Sequence, residues 1–141
     1  GGGGTALALL NGTTWQVVPT GGVTVDLLDV WGSAINDVWA VGDGGTILHW
    51  RGTAWTLVPN GADGGTTNEL RGIWGSGPKD VWAVGLEGAI VHWDGHSWER
   101  AESGTDAGLF AVWAADAHSA WAVGQHGTVL HWDGSEWRDD R

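Results

Sequence analysis

Three histidines stand directly before a tryptophan at equivalent places in the chain, and two of these pairs are followed by an aspartate: His49-Trp50, His92-Trp93-Asp94 and His131-Trp132-Asp133. In an extended strand, residues two apart lie on the same face, and imidazole with carboxylate is a combination that binds metal ions. Two ligands are too few for a metal site, and the first copy has Arg51 in place of the aspartate. We therefore expect each histidine to be structural and to hydrogen-bond Asp37, Asp80 or Ser119.

Tryptophan is the second residue type that suggests chemistry, because 13 of the 141 residues are Trp and aromatic faces suit carbohydrate rings. The tryptophans recur at fixed places, including a segment that is apolar on both faces, and this favours packing over sugar binding. We assign nine of them to the core: Trp31, Trp39, Trp50, Trp74, Trp82, Trp93, Trp113, Trp121 and Trp132. The best candidates for an exposed platform are Trp55, Trp98 and Trp137, which fall on the outermost predicted strand.

The sequence contains no pattern typical of a catalytic site. No nucleophile is spaced to meet a base, no glycine-rich loop precedes a helix to bind phosphate, and no pair of carboxylates stands out. The absence of cysteine excludes disulfides and thiolate–metal sites. We expect no catalytic residue, no cofactor and no metal site.

Charge excludes further classes of partner. Six Lys and Arg stand against seventeen Asp and Glu, which gives a net charge of −11, and such a surface repels nucleic acid and anionic membranes. No apolar stretch approaches the ~18 residues of a membrane span. The chain is 42% hydrophobic and 16% charged, so it is expected to fold.

The tryptophans reveal an internal repeat. Trp31, Trp39, Trp50 and Trp55 are separated by 8, 11 and 5 residues, and the same intervals recur from Trp74 and from Trp113. The repeat length nevertheless changes from 43 to 39 residues, and all of the change lies between the last Trp of one unit and the first of the next. This pattern indicates a rigid module with one variable connection.

Each unit reads as four short strands. In the first unit they are Leu27–Trp31, Val38–Gly42, Thr46–Trp50 and a strand that begins at Trp55. A Gly-x-x-Gly turn separates the second strand from the third, and Asp-Gly or Arg-Gly separates the third from the fourth. The second strand is apolar on both faces, so each sheet must be covered on both sides, while polarity rises in the fourth strand, as an outer edge requires.

These features predict an all-β fold, a β-propeller of four-stranded antiparallel blades. We place three blades at about 23–62, 63–104 and 105–141, and a half blade at 1–22 in which Ala6–Leu10 and Thr14–Pro19 correspond to the third and fourth strands. Propellers close with four to eight blades. The arc is therefore expected to need further blades of the same polypeptide or a second copy of the chain.

The pattern V-W-A-V-G-x-x-G-x-I/V-x-H-W-D-G-x-x-W, which repeats from Leu27 to Trp137, resembles the Trp-rich propeller repeats of bacterial secreted and cell-surface proteins. It is distantly similar in style to WD-repeat, Asp-box and photosystem-assembly-factor propellers. The chain is not assigned to the Asp-box family, because that pattern places Asp and Gly two residues apart, whereas Asp94 and Gly95 are adjacent here. The resemblance implies the fold and an interaction surface, and it brings no catalytic residues.

Function is expected in the loops of one rim. Each blade has a loop between its second and third strands and a loop from its fourth strand to the first strand of the next blade. Because the strands are antiparallel, both loops lie on the same rim, and their sequences differ between the copies. A rigid scaffold with divergent loops is a common binding surface, although drift in unconstrained loops is an equally good explanation. The candidate binding residues are Asp43, Asp63, Glu69, Glu87, Glu102, Asp106 and His126.

We therefore expect a non-enzymatic module that presents this rim to a protein or glycan, outside a bacterial cell or at its surface. No signal peptide is visible, since the chain opens with four glycines. The alternatives are a lectin with one carbohydrate site per blade, an architectural or self-assembling repeat protein, and the non-catalytic part of a larger glycan-acting enzyme.

Overall fold

The computed structural model describes residues 6–10, 14–18, 26–60 and 66–140, the first two ranges as backbone. Within these ranges the chain forms strands β1 to β14 and three short 3-10 turns. None of the described segments is a helix long and apolar enough to cross a membrane.

Twelve of the strands make three sheets of four. Blade 1 consists of β3 (Leu27–Ala34), β4 (Asp37–Gly42), β5 (Ile47–Trp50) and β6 (Trp55–Leu57). Blade 2 consists of β7 (Leu70–Gly77), β8 (Asp80–Gly85), β9 (Ile90–Trp93) and β10 (Trp98–Arg100). Blade 3 consists of β11 (Leu109–Asp116), β12 (Ser119–Gly124), β13 (Val129–Trp132) and β14 (Trp137–Asp139). The strands of each blade are antiparallel and paired in chain order, which confirms the predicted fold class.

The first strand of each blade is longer than predicted. In blade 1 it continues to Ala34, which pairs with Asp37 across a two-residue connection. The pairing thus continues to the turn, with a shift of register between Gly32 and Ala34. The sequence signal ended at Trp31 because the residues after it are small or polar.

Before blade 1, β1 (Ala6–Leu10) and β2 (Thr14–Val18) form a two-stranded antiparallel sheet. These are the two segments that the sequence assigned to a half blade. The side of blade 1 that faces away from blade 2 is open at its first strand. Val30 on β3 is 59% exposed, whereas its counterparts Ile73 and Val112 are 3% and 8% exposed because each packs on the preceding blade.

The blades stack face to face, and their first strands, β3, β7 and β11, lie next to one another along the inner side of the stack. A Cβ added at Gly72 of β7 would lie 2.9 Å from the Phe110 carbonyl oxygen of β11, so only glycine permits this approach of two backbones. On the other side of blade 2, the Asp29 carboxylate of β3 accepts a hydrogen bond of 3.0 Å from the Ile73 amide. The side chain thus satisfies an edge N–H that no neighbouring strand reaches.

Interlocked indoles fill the two interfaces between blades. Trp39 of β4 inserts between Trp93 and Trp98 of blade 2, with ring centroids 4.9 and 5.2 Å away at interplanar angles of 56° and 88°. Trp82 of β8 repeats the contact with Trp132 and Trp137 of blade 3, at 5.0 and 5.1 Å and at 59° and 86°. We call the inserted residue the wedge and the receiving pair the notch. Both wedges are 1% exposed, so they form the centres of the two interfaces.

The structure corrects the assignment of exposed and buried tryptophans. Trp55, Trp98 and Trp137, proposed as an exposed platform, are 5%, 1% and 6% exposed, because the fourth-strand indole forms one side of each notch. Conversely, Trp74 and Trp113, assigned to the core, are 38% and 49% exposed.

Each exposed indole has a local reason. Trp31, the counterpart in blade 1, lies against Gly75, where an added Cβ would meet its ring at 2.6 Å. The equivalent of Gly75 in blade 3 is Ala114, so the counterpart site for Trp74 carries a methyl group. Trp113 belongs to blade 3, beyond which no described sheet lies.

Candidate binding rim

Two families of loops share one rim, as the sequence predicted. The turn between strands two and three of each blade lies against the loop that leads from strand four to the next blade. Asn60 Nδ2 donates to the carbonyl oxygens of Gly45 and Thr66, each at 2.6 Å, and joins the two loops of blade 1. In blade 2, a Cβ added at Gly88 would lie 1.9 Å from the Thr105 carbonyl oxygen.

Two non-glycine residues in the left-handed region stand at the tips of these turns. The turns are Asp43–Gly45, Leu86–Gly88 and Gln125–Gly127. Their central residue has a positive φ, which is 68° at Gly44, 58° at Glu87 and 59° at His126. A side chain in this region costs roughly 1–2 kcal/mol of backbone free energy. Blades 2 and 3 therefore carry a charged or titratable side chain where glycine fits best, and such strain is common at functional positions.

The rim between blades 1 and 2 holds a pair of hydrogen-bonded carboxyl groups. The side chains of Asp43 and Glu69 hydrogen-bond each other, and this contact raises the pKa of Asp43. The pKa of Glu69 is lowered, first by its hydrogen bond with Arg71 and then by Asp43. Arg71 thus favours the ionised form of Glu69, whereas the neighbouring carboxylate disfavours the ionised form of Asp43. The sequence did not single out this pair, because the two residues are 26 positions apart.

Arg71 also links this pair to the inside of the stack. Its guanidinium carbon lies 5.4 Å from the centre of the Phe110 ring of blade 3, within the range of a cation–π contact. Phe110 is 42% exposed, as is Leu28 at the equivalent position of blade 1. A cationic and apolar strip thus borders the acidic loops on their inner side.

The rim between blades 2 and 3 contains a cavity of about 500 Å³. It is lined by both loop families, and its carboxylates are Glu87, Glu102 and Asp106, with Arg100 as the one basic residue among the lining side chains. Ser103 is buried beneath it and shapes the loop by bonding the Thr105 amide and carbonyl. The cavity is thus a pocket of mainly negative charge.

The structure thus brings the predicted binding residues together in two groups. Asp43 and Glu69 meet between blades 1 and 2, and Glu87, Glu102 and Asp106 meet between blades 2 and 3. His126 occupies the third turn, and Asp63 lies outside the described residues. Sequence reasoning missed Arg71, Arg100 and Phe110 because it searched the loops for acidic residues, whereas these three begin or end the adjacent strands. The binding role of the loop residues named from the sequence stays a prediction.

The histidines are structural, with the partners that the sequence proposed. His49 Nε2 lies 2.7 Å from the Asp37 carboxylate, His92 Nε2 lies 2.6 Å from Asp80, and His131 Nε2 lies 3.2 Å from the Ser119 hydroxyl. Each imidazole also packs on the second-strand tryptophan of its own blade, with ring centroids 3.8 to 4.1 Å apart. The hydrogen bonds therefore fix the plane against which each wedge lies.

In blade 2 this arrangement also fixes the charge of the aspartate. Burial acts to raise the pKa of Asp80, but hydrogen bonds from His92 and from the Ser76 hydroxyl outweigh it and leave the pKa below its ordinary value. In blade 1, Arg51 Nε donates to His49 Nδ1 at 3.1 Å. Since Arg has no acceptor, Nδ1 must accept, and the proton on Nε2 is donated to Asp37.

The aspartates that follow the His-Trp pairs form turns, not metal sites. Asp94 Oδ1 accepts from the amides of His96 and Ser97 at 2.8 and 3.0 Å, and Gly95 next to it has a φ of 97°. Two backbone amides of the same kind, together with the Ser135 hydroxyl, lower the pKa of Asp133 to about 2. No group of three or more metal-ligating side chains occurs in the part of the chain that the structure describes.

Comparison with known proteins yields the fold and no family. No protein-family model matches the chain, and no curated protein matches it. Eighteen chains of solved structures are similar. One of them, described as YCF48 bound to D1 peptide, superposes with a TM-score of 0.72 at 22% identity over 95% of this chain. The match covers 45% of that chain, so the present chain spans less than half of its length. Together with the three stacked sheets, the likeness shows that the fold is a β-propeller.

Proposed function

We propose that this chain is a non-enzymatic protein-interaction module whose acidic rim binds an extended, basic segment of a partner protein. The observation that carries the proposal is the cavity between blades 2 and 3. There, loops that differ from blade to blade place Glu87, Glu102 and Asp106 around one space of about 500 Å³. Lysine and arginine side chains complement such a pocket, and opposite charge also accelerates their encounter with it.

The rim next to this cavity supports an extended ligand. Arg71 contacts Glu69 on one side and the Phe110 ring of blade 3 on the other, so the rim offers carboxylate and aromatic surface in addition to the cavity. Aromatic residues and arginine are enriched among the residues that dominate binding energy at protein interfaces. The solved propeller of similar fold is described as bound to a peptide, which supports a peptide as the class of ligand.

Two observations favour this proposal over its alternatives. The fourth-strand tryptophans that would serve a lectin as repeated platforms are buried in the notches. The His–Asp pairs that would serve an enzyme are placed against the wedges, where they hold indoles. The loops of the rim remain as the surface that differs between blades.

The proposal is tested by measuring the binding of peptides that differ only in charge. The probes are fifteen-residue peptides of matched length and hydrophobicity, rich in lysine, in glutamine or in glutamate, in isothermal titration calorimetry. We expect the lysine-rich peptide alone to bind, and its affinity to fall as salt is raised from 0.05 to 0.5 M, since screening weakens exposed charge pairs.

A pair of matched double variants locates the site. Glu87→Gln with Glu102→Gln removes two charges from the cavity and is expected to weaken binding about three- to tenfold. Asp116→Asn with Glu136→Gln removes the same charge from the opposite rim and is expected to leave the affinity unchanged. Equal losses in both variants would mean that only net charge attracts the peptide and would reject the rim as a site.

A further inference from the structure

The face of blade 3 that points away from blade 2 carries a wedge, Trp121. Trp121 stacks on His131 with centroids 4.0 Å apart at 26°, as Trp39 does on His49 at 3.8 Å and 11°. Its neighbours in the strand pattern point the other way, since Ala120, Ala122 and Leu130 belong to the cluster shared with blade 2. Trp121 is therefore set in the orientation that its two counterparts have inside interfaces.

The apolar residues around Trp121 are uncovered, whereas those around its counterparts are buried. Val123 is 43% exposed, whereas Val41 and Val84 at the same position are fully buried. Trp113 beside it is 49% exposed, and Val129 is half-buried where Ile47 and Ile90 are fully buried. Four apolar residues on one side of a sheet thus form a continuous open face, of the kind that marks an interaction surface.

We propose that this face binds a further four-stranded blade of the same repeat, and that Trp121 inserts into a notch of two tryptophans on that blade's third and fourth strands. This face continues the pattern of the two interfaces between blades 1, 2 and 3. Trp39 and Trp82 meet their notches at centroid distances that agree within about 0.1 Å and at angles that agree within about 3°. Since this contact is reproduced so closely between different blades, we expect Trp121 to require a tryptophan pair of the same geometry.

The notch has nearly the same geometry in all three blades. The pair Trp50–Trp55 of blade 1 has a centroid distance of 5.7 Å and an angle of 49°, close to 5.9 Å and 45° for Trp93–Trp98 and 5.9 Å and 47° for Trp132–Trp137. A further blade of this repeat therefore presents a notch of the form that Trp121 requires, which lowers the cost of association. The inference concerns the flat face of blade 3 and is independent of what the rim binds.

The experiment supplies such a blade and measures whether Trp121 engages it. The full chain is extended at its C-terminus by a second copy of residues 101–140, and thermal unfolding is followed by far-UV circular dichroism. Trp121→Ala is expected to lower the melting temperature by only a few degrees in the original chain and by about 10 °C in the extended chain. Replacing both notch tryptophans of the appended blade by leucine is expected to remove this difference.

Val30→Ala is the matched control, because Val30 lies on the opposite open face and should cost the same in both chains. Equal costs of Trp121→Ala in the original and the extended chain would overturn the proposal. So would a dimer of the original chain, seen by sedimentation velocity, that Trp121→Ala dissolves, since a second copy would then be the occupant. Binding of the lysine-rich peptide, measured on the same variants, reports separately on the rim.

Discussion

Replacing Trp82 by alanine tests whether wedges hold the blades together. The indole is 1% exposed and contacts His92, Trp132 and Trp137. A buried tryptophan side chain removes about 150–250 Å² from water, which at ~25 cal/mol/Å² corresponds to about 4–6 kcal/mol. The measured range for Trp→Ala in cores is about 3–5 kcal/mol. A domain is stable by only about 5–15 kcal/mol, so this one change removes a large share of the free energy of unfolding.

One feature of Trp82 reduces the expected cost. Its indole N–H is buried and has no acceptor among the described residues, as is also true of Trp39 and Trp98. A buried donor without a partner costs about 1–3 kcal/mol, and this penalty disappears with the indole. We therefore expect about 3 kcal/mol for Trp82→Ala. For Trp82→Phe we expect less than about 1.5 kcal/mol, because phenylalanine keeps much of the apolar contact and buries no donor.

The assay is urea unfolding followed by far-UV circular dichroism, and each variant is fitted with its own folded and unfolded baselines because indoles also contribute to this signal. Trp113→Ala is the matched control, since that indole is 49% exposed and is expected to cost below about 1 kcal/mol. Equal losses at Trp82 and Trp113, or a Phe variant as damaged as the Ala variant, would refute the reasoning.

Three further predictions follow from the polar contacts. Asp80→Asn should lower the melting temperature at neutral pH. Since the folded pKa of Asp80 lies below its unfolded value, the stabilisation is present above about pH 4 and is lost as the pH falls through the folded pKa. The melting temperatures of the two proteins should therefore converge in acid, and a difference that stays constant with pH would contradict this assignment. Glu87→Gly and His126→Gly should each raise the free energy of unfolding by about 0.5–1 kcal/mol, because they relieve a left-handed backbone, and urea midpoints that fall would show the turns to be unstrained. Asn60→Ala removes the hydrogen bonds to the carbonyl oxygens of Gly45 and Thr66 and should make the loop more mobile. We expect faster amide hydrogen exchange at Thr66, with the exchange at Thr105 unchanged. Protection that is kept at Thr66 would contradict this role of Asn60.

The architecture could be predicted from the sequence because it repeats. Identical Trp spacing in three copies fixed the register, and the doubly apolar second strand required a covered sheet on each side. The partners of His49, His92 and His131 were also predictable, since each partner begins the neighbouring strand in every copy.

The depth of individual indoles was not predictable from strand position alone. Trp98 is buried although it stands on the outer strand, because the wedge of the preceding blade packs against it. Trp74 is 38% exposed although it stands on the inner strand. Both outcomes depend on which side of a blade its neighbour covers, and a pattern within one repeat does not contain that information.

The candidate rim was only partly predictable for a similar reason. The acidic loop residues could be grouped from topology, because antiparallel strands return both loop families to one edge. The pairing of Asp43 with Glu69, and the stacking of Arg71 on Phe110, join residues of different blades. Such contacts depend on the angle between blades, which the spacing within a repeat does not determine.

The most direct test of the proposed rim is a nuclear magnetic resonance titration of the ¹⁵N-labelled chain with the lysine-rich peptide. We expect the amide shifts to concentrate at the rim loops, residues 43–45, 66–69, 86–88 and 102–108, and to stay small in the turns of the opposite rim at residues 35–36 and 117–118. Shifts that gather on that opposite rim, or that spread evenly over the acidic surface, would contradict the proposal.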